Sequence, residues 1–137
     1  MTDDDRHERG MQVRRAVLGD EHVDRAVANT SRLDADFQEY ITGSAWADVW
    51  GRDELDRPTR SLVTIALLAA LGHEEELEMH LRAARRTGAS PQAIAEALLH
   101  VALYAGVPAA NRAFAALKRV DASGHDPAGD DEGIAHG

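Results

Sequence analysis

Residues that stop and restart helices cut the second half of the chain into helix-length pieces, and that punctuation leaves little room for other secondary structure. Gly72 and Gly88 each follow an apolar-periodic run, where a residue that takes the left-handed conformation without a Cβ penalty can end a helix. Ser90-Pro91 reads as an N-cap followed by proline at the first helical position, and Gly106-Val-Pro108 breaks the chain again. The spacing therefore predicts helices over 61–71, 73–88, 91–105 and 109–120. The first is apolar nearly all round, the mark of a buried helix. The third carries Ile94, Ala97, Leu98, Val101 and Tyr104 on one stripe, with His100 read as a hydrogen-bonded core residue. The last turns Ala113, Phe114 and Leu117 inward. No strand-period alternation competes, so the fold class is all-α, a small helical bundle.

Upstream the elements are shorter. Val13, Val17 and Leu18 predict a helix over 11–18 that Gly19 ends, and Val23 with Val27 predicts a second over 21–27. Phe37, Tyr40 and Ile41 share one side of 34–41, and beyond Gly43-Ser44 the pair Trp46 and Trp50 lies one turn apart in 45–50. Four of the six Phe, Tyr and Trp residues thus cluster, marking either a core edge or subunit contact, or a pocket wall. Asp56 reads as the N-cap of the following helix, with Pro58 in its first turn. Arg57 and Arg60 then stand at the helix end whose dipole favours an anion.

A chain of 137 residues makes one domain, expected over residues 10–120 between a polar tail at 1–9 and an acidic tail at 121–137. The net charge is −9, but the first ten residues contribute −2 and the last seventeen −5, so the rest is close to balanced and shows no basic stripe for nucleic acid. Cysteine is absent, which excludes disulfides, thiolate metal sites and thiol nucleophiles. No cofactor motif is visible. The longest apolar run, near 62–71, is too short to span a bilayer, and the start lacks the apolar core of a signal peptide. The expectation is a cytoplasmic protein without membrane or nucleic-acid partners. Lys118 is the only lysine, and an arginine bias of this kind is more often composition than function.

The stretch from His73 to Gly88 separates ionisable from apolar groups. His73, Glu76 and His80 project to one side, while Leu77, Leu81 and Ala84 form an adjoining stripe. Glu76 and His80, one turn apart, can bind or move a proton, or else form a surface contact worth a few tenths of a kcal/mol. A metal site on the three is disfavoured, because the first and last are separated by roughly 10 Å along the axis at 1.5 Å per residue.

With these residues in place, the pattern His80-x3-Ala84-x3-Gly88, Ser90-x5-Glu96 and Tyr104-Ala-Gly106-Val-Pro108-Ala-Ala110 resembles the carboxymuconolactone decarboxylase family. The resemblance continues upstream through Arg14-Arg15-x-Val17-Leu18-Gly19, Trp46-x3-Trp50, Arg52 and Leu55-Asp56-Arg57-x-Thr59-Arg60-Ser61-Leu62. It implies an all-helical fold assembled as a ring-like homo-oligomer, a hexamer or trimer. It also implies cofactor-independent decarboxylation of 4-carboxymuconolactone, a dicarboxylate lactone, to 3-oxoadipate enol-lactone in protocatechuate catabolism. The alkylhydroperoxidase-D-like branch of the superfamily carries Cys-x2-Cys-x3-His, and here those positions are His73, Glu76 and His80, so peroxidase chemistry is not expected.

The chemistry implied by the resemblance needs no external electron sink. When CO2 leaves the ring carbon γ to the lactone carbonyl, its electron pair passes through the alkene to the carbonyl oxygen. The protein must stabilise that oxyanion, protonate the carbon α to the carbonyl and hold the retained acetate. The resemblance assigns His80 as donor or general acid, with Glu76 positioning it or relaying the proton. Arg57 or Arg60 would hold a carboxylate, and Trp46 and Trp50 would line the substrate. The other readings are a non-catalytic oligomeric binder of small ligands, and a decarboxylase or isomerase of another lactone.

Overall fold

A computed structural model describes residues 2–123. Its elements are α1 Asp3–Leu18, α2 Asp20–Asn29, α3 Ala35–Ile41, a π-helical continuation of α3 over Thr42–Trp50, α4 Arg57–Leu71, α5 Glu74–Thr87, α6 Pro91–Tyr104 and α7 Val107–Ser123. No strand occurs among the described residues, so the all-α expectation holds. They form two compact units, one of the chain up to Leu62 with Ala83–Ala89, the other of Val63–Arg82 with the chain from Ser90 onward.

In the first unit α1 begins at Asp3, well inside the stretch read as a tail, because Thr2 and Asp5 cap it reciprocally. The Thr2 hydroxyl accepts from the Asp5 N–H at 3.0 Å, the Asp5 carboxylate accepts from the Thr2 N–H at 3.4 Å, and Asp3, Asp4 and Asp5 sit at the positive end of the dipole. The helix packs on the α3–π rod. Gly10 abuts the Thr42 carbonyl, which a Cβ would overlap. Arg6 grips Asp48 with two bonds of 3.0 and 2.6 Å, His7 meets Glu39 at 2.7 Å, and Arg9 donates to the Gly51 carbonyl. Gly43-Ser44 does not interrupt the rod. The bare Gly43 backbone receives the Arg6 guanidinium, which a Cβ there would meet at 2.6 Å.

Gly19, at φ 94°, ends α1 and is crossed by the Arg86 guanidinium, 2.6 Å from where a Cβ would stand. The start of α4 is fixed by Asp56, whose carboxylate accepts from the Thr59 N–H at 2.9 Å. One turn into α4 Ser61, fully buried, shares a 2.6 Å hydroxyl hydrogen bond with Thr87, whose hydroxyl donates to the Ala84 carbonyl at 3.3 Å.

In the second unit Gly72, at φ 78°, closes α4. The α5 helix carries Glu74, Glu75 and Glu76 in its first turn, as its dipole favours. Ser90 caps α6, accepting from the Ala93 N–H at 3.0 Å, with Pro91 at its start. Ile94, Leu98 and Val101 are buried, and α6 packs on α7. The α7 helix starts at Val107, because proline is tolerated in a first turn that needs no N–H donor there. It runs through 121–123, which the sequence reading placed in the tail; residues 124–137 of that tail lie outside the described residues.

Four expectations about burial change. Phe37 and Tyr40 are exposed, so the aromatic cluster divides and only Trp46 and Trp50 are buried. Tyr104 is 82% exposed rather than in the stripe of α6. His100 is exposed too and stacks on Tyr104 with ring centroids 6.4 Å apart. The α4 helix buries Ile65 and Ala69 but exposes Val63, Leu67 and Leu71, one turn apart along its opposite side.

Candidate functional site

The α5 helix holds the candidate proton-transfer pair. Leu77, Leu81 and Ala84 are buried as their spacing predicts, and His80 goes inside with them at 7% exposure. Glu76, one turn nearer the N-terminus, is exposed and forms no ion pair with a described residue. The two share a face but no bond. Glu74 and Glu78 are otherwise engaged, the first with Arg112 at 3.4 Å and the second with Arg119 at 3.1 Å and Arg82 at 3.6 Å. His73 precedes the helix and is exposed, so it does not accompany His80 inward. Among the described residues no three His, Asp or Glu side chains gather as a metal ion would need.

The other candidates belong to the first unit. Trp46 and Trp50 lie with ring centroids 5.5 Å apart and planes tilted by 33°, 5% and 7% exposed. They are carried by the π-helical segment, a geometry frequent at functional sites. Arg57 and Arg60 start α4 and are half-buried. Arg60 donates to the Arg52 carbonyl at 3.3 Å, while its Nε is enclosed without a hydrogen-bond partner among the described residues. Asp56 beside them keeps its carboxyl below the ordinary range, through hydrogen bonds from the Thr59 hydroxyl and N–H.

One buried charge is not singled out by the sequence reading. Arg14 is 6% exposed on the inner face of α1, beside Val13 and Val17, and burial alone lowers its pKa. Its Nε has no hydrogen-bond partner among the described residues. The available signal was position, since Arg14 stands one turn from both Gly10 and Leu18, in the apolar stripe of its helix.

A family model described as the carboxymuconolactone decarboxylase family matches residues 35–119. The chain belongs to that family. The match contains Trp46, Trp50, Arg57, Arg60, Glu76 and His80, while Arg14 lies before it. Among carboxymuconolactone decarboxylase relatives, the chain is 49% identical over 83% of its length and 85% of the other's to 4-carboxymuconolactone decarboxylase of Acinetobacter baylyi. It is 41% identical to nitrosuccinic acid decarboxylase npaB of Metarhizium robertsii over 78% of each chain. A 48-residue 4-carboxymuconolactone decarboxylase sequence from Pseudomonas putida matches along its whole length at 50% identity, covering 35% of this chain.

Proposed function

We propose that the protein is a carboxy-lyase that decarboxylates 4-carboxymuconolactone to 3-oxoadipate enol-lactone, in the cytoplasm, as a step of protocatechuate catabolism. The observation that carries this reading is the 49% identity to the Acinetobacter baylyi decarboxylase across most of both chains. The substrate is its own electron sink, so the chain's task is to hold it and manage one proton. His80 donates to the lactone oxygen as charge gathers there, or delivers the proton to the α carbon. Its enclosure supports the assignment, because a donor screened from water stabilises an oxyanion by about 3–4 kcal/mol. Glu76 relays the proton between His80 and solvent, a part suited to an exposed carboxylate. Arg57 or Arg60 binds a carboxylate, and the unfilled Arg60 Nε favours Arg60. The Trp46–Trp50 pair supplies an apolar wall for the ring.

The working protein is a homo-oligomer, a hexamer or trimer. Supporting this are the exposed apolar side chains of the second unit, Val63, Leu67 and Leu71 on α4 with Leu99 and Leu103 on α6. No helix of the described residues is long and apolar enough to cross a membrane. A second reading, decarboxylation of a different acid, draws on the Metarhizium robertsii relative, whose name keeps the reaction and changes the substrate.

The deciding experiment is turnover of the lactone in buffered D2O with chelator, following CO2 release and deuterium at the α carbon by NMR, beside His80→Ala. Expected are rapid turnover with one deuterium at that carbon and a loss of about 10²–10³-fold in the folded mutant. Near-normal turnover by folded His80→Ala would remove His80 from the chemistry. No turnover by wild type would move the function to another acid or to ligand binding.

A further inference from the structure

We propose that Arg6 and Arg9 of α1 are positioning residues for the substrate wall: they hold Thr42–Trp50 in its π-helical winding, and that winding sets how Trp46 and Trp50 face each other. The proposal concerns the first unit alone and rests on the decarboxylase reading above for the task of the wall. A π-helix closes its hydrogen-bond ladder one residue later than an α-helix and is found mostly as a single turn. Nine residues of it, Thr42 to Trp50, form an uncommon conformation of the kind that persists where the surroundings over-determine it.

The surroundings here are side chains of α1. The change from α to π winding falls at Thr42, whose hydroxyl donates to the Gln38 carbonyl at 2.7 Å, a back-bond that bends helices. Just beyond, the Arg6 guanidinium lies across the bare Gly43 backbone and donates to both Asp48 oxygens, at 3.0 and 2.6 Å. One side chain thus grips the segment near its start and near its end. Arg9 donates to the carbonyl of Gly51, the first residue past the segment, where a helix end leaves carbonyls unfilled. Gly51 has no room for a side chain, since a Cβ would stand 2.6 Å from the Ala47 carbonyl oxygen and 3.1 Å from the Arg9 Nε. Without the two arginines the commoner α winding is open to the segment.

The winding matters to the tryptophans. Four residues make slightly more than one turn at 3.6 residues per turn, and slightly less than one turn when each ladder bond spans a further residue. The Trp46 and Trp50 rings, 5.5 Å apart and tilted by 33°, therefore take their mutual angle from the π form. Relaxation to α winding carries one indole round the axis relative to the other, and the non-helical link at 51–56 can absorb the change in length. The Arg6–Asp48 pair is half exposed, and pairs of that kind add little to global stability. Its effect is local: it selects one of two windings, and with it the shape of an apolar wall.

The test uses the full chain, in which Trp46 and Trp50 are the only tryptophans, so exciton coupling in circular dichroism and indole emission report on this pair alone. Arg6→Met/Arg9→Met should lose the exciton couplet and raise KM for the lactone on the order of 10-fold, with kcat and Tm little changed. Arg6→Lys alone, which meets Asp48 with a point charge instead of a fork, should show smaller changes in both. Should the double variant fail to fold, Gly43→Ala keeps both arginines, gains helix propensity and pushes the guanidinium aside, and the same two changes are expected of it. An unchanged couplet in the folded variants would overturn the proposal. So would a lost couplet with the KM of wild type, since the winding would then have no bearing on binding. If wild type does not turn over the lactone, the decarboxylase reading fails separately, and the couplet, which needs no substrate, still decides whether α1 sets the pair.

Discussion

His80 and Glu76 stand one turn apart on α5 and meet different media, the imidazole enclosed and the carboxylate in water. A group whose partner is solvent is readily replaced by solvent. Glu76→Gln should therefore lower kcat by less than about 10-fold, far less than His80→Ala, as initial rates on the folded proteins would read. A Glu76→Gln loss as large as that of His80→Ala would show the carboxylate acting at the reacting atoms. The shared face of these residues was legible from spacing. Depth was not, because burial depends on which other elements cover a face, and spacing along one helix does not hold that information. Arg14 and Arg15 show the same limit. They are identical and adjacent, and about 100° of helical rotation puts one inside and leaves the other among carboxylates.

At the scale of elements, the stops and starts of α4 to α6 were legible because Gly, Ser and Pro act locally: Gly72 and Gly88 take positive φ, and Ser90 caps α6. The start of α1 is hidden because eight of residues 1–9 are charged, histidine or threonine and read as a polar tail, although Thr2-x-x-Asp5 spells a capping box. The same helix supplies a test of packing. Gly10→Ala gains about 1 kcal/mol of helix propensity, but its Cβ would displace the Thr42 carbonyl, at a cost of about 1–3 kcal/mol or more. The clash wins, and a lower urea midpoint with unchanged slope is expected.

Two carboxylates at element ends give a pH dependence. Asp48 is held below its ordinary value of 3.8 by the hydrogen bond and charge of Arg6, and Asp56 below the same value by Thr59. A depressed folded pKa means that the unfolded chain takes up the proton first as pH falls. Their contribution is therefore complete above the ordinary value and lost as pH drops through the lower folded ones. Tm should be insensitive to both groups above about pH 5 and fall below about pH 4, less steeply in Asp48→Asn.

For the whole molecule, the exposed apolar residues matter most. The sequence reading buried α4 on all sides, and a single chain leaves Val63, Leu67 and Leu71 uncovered at 48%, 56% and 66% exposure. The two statements agree if a second copy covers that side. Sedimentation should then give a multiple of 14.8 kDa for wild type and a smaller multiple for Leu67→Glu. A wild-type monomer at micromolar concentration would remove the oligomer.

The Arg86 guanidinium over Gly19 has a consequence for how distant segments share charge. It stands in the last turn of α5 and lies across the residue that ends α1, so one cation faces the negative poles of two helices. Neutralising it would weaken the compensation of two dipoles by a single change, leaving Arg85 at the end of α5 and Arg15 at the end of α1, a helix some seventy residues earlier in the chain.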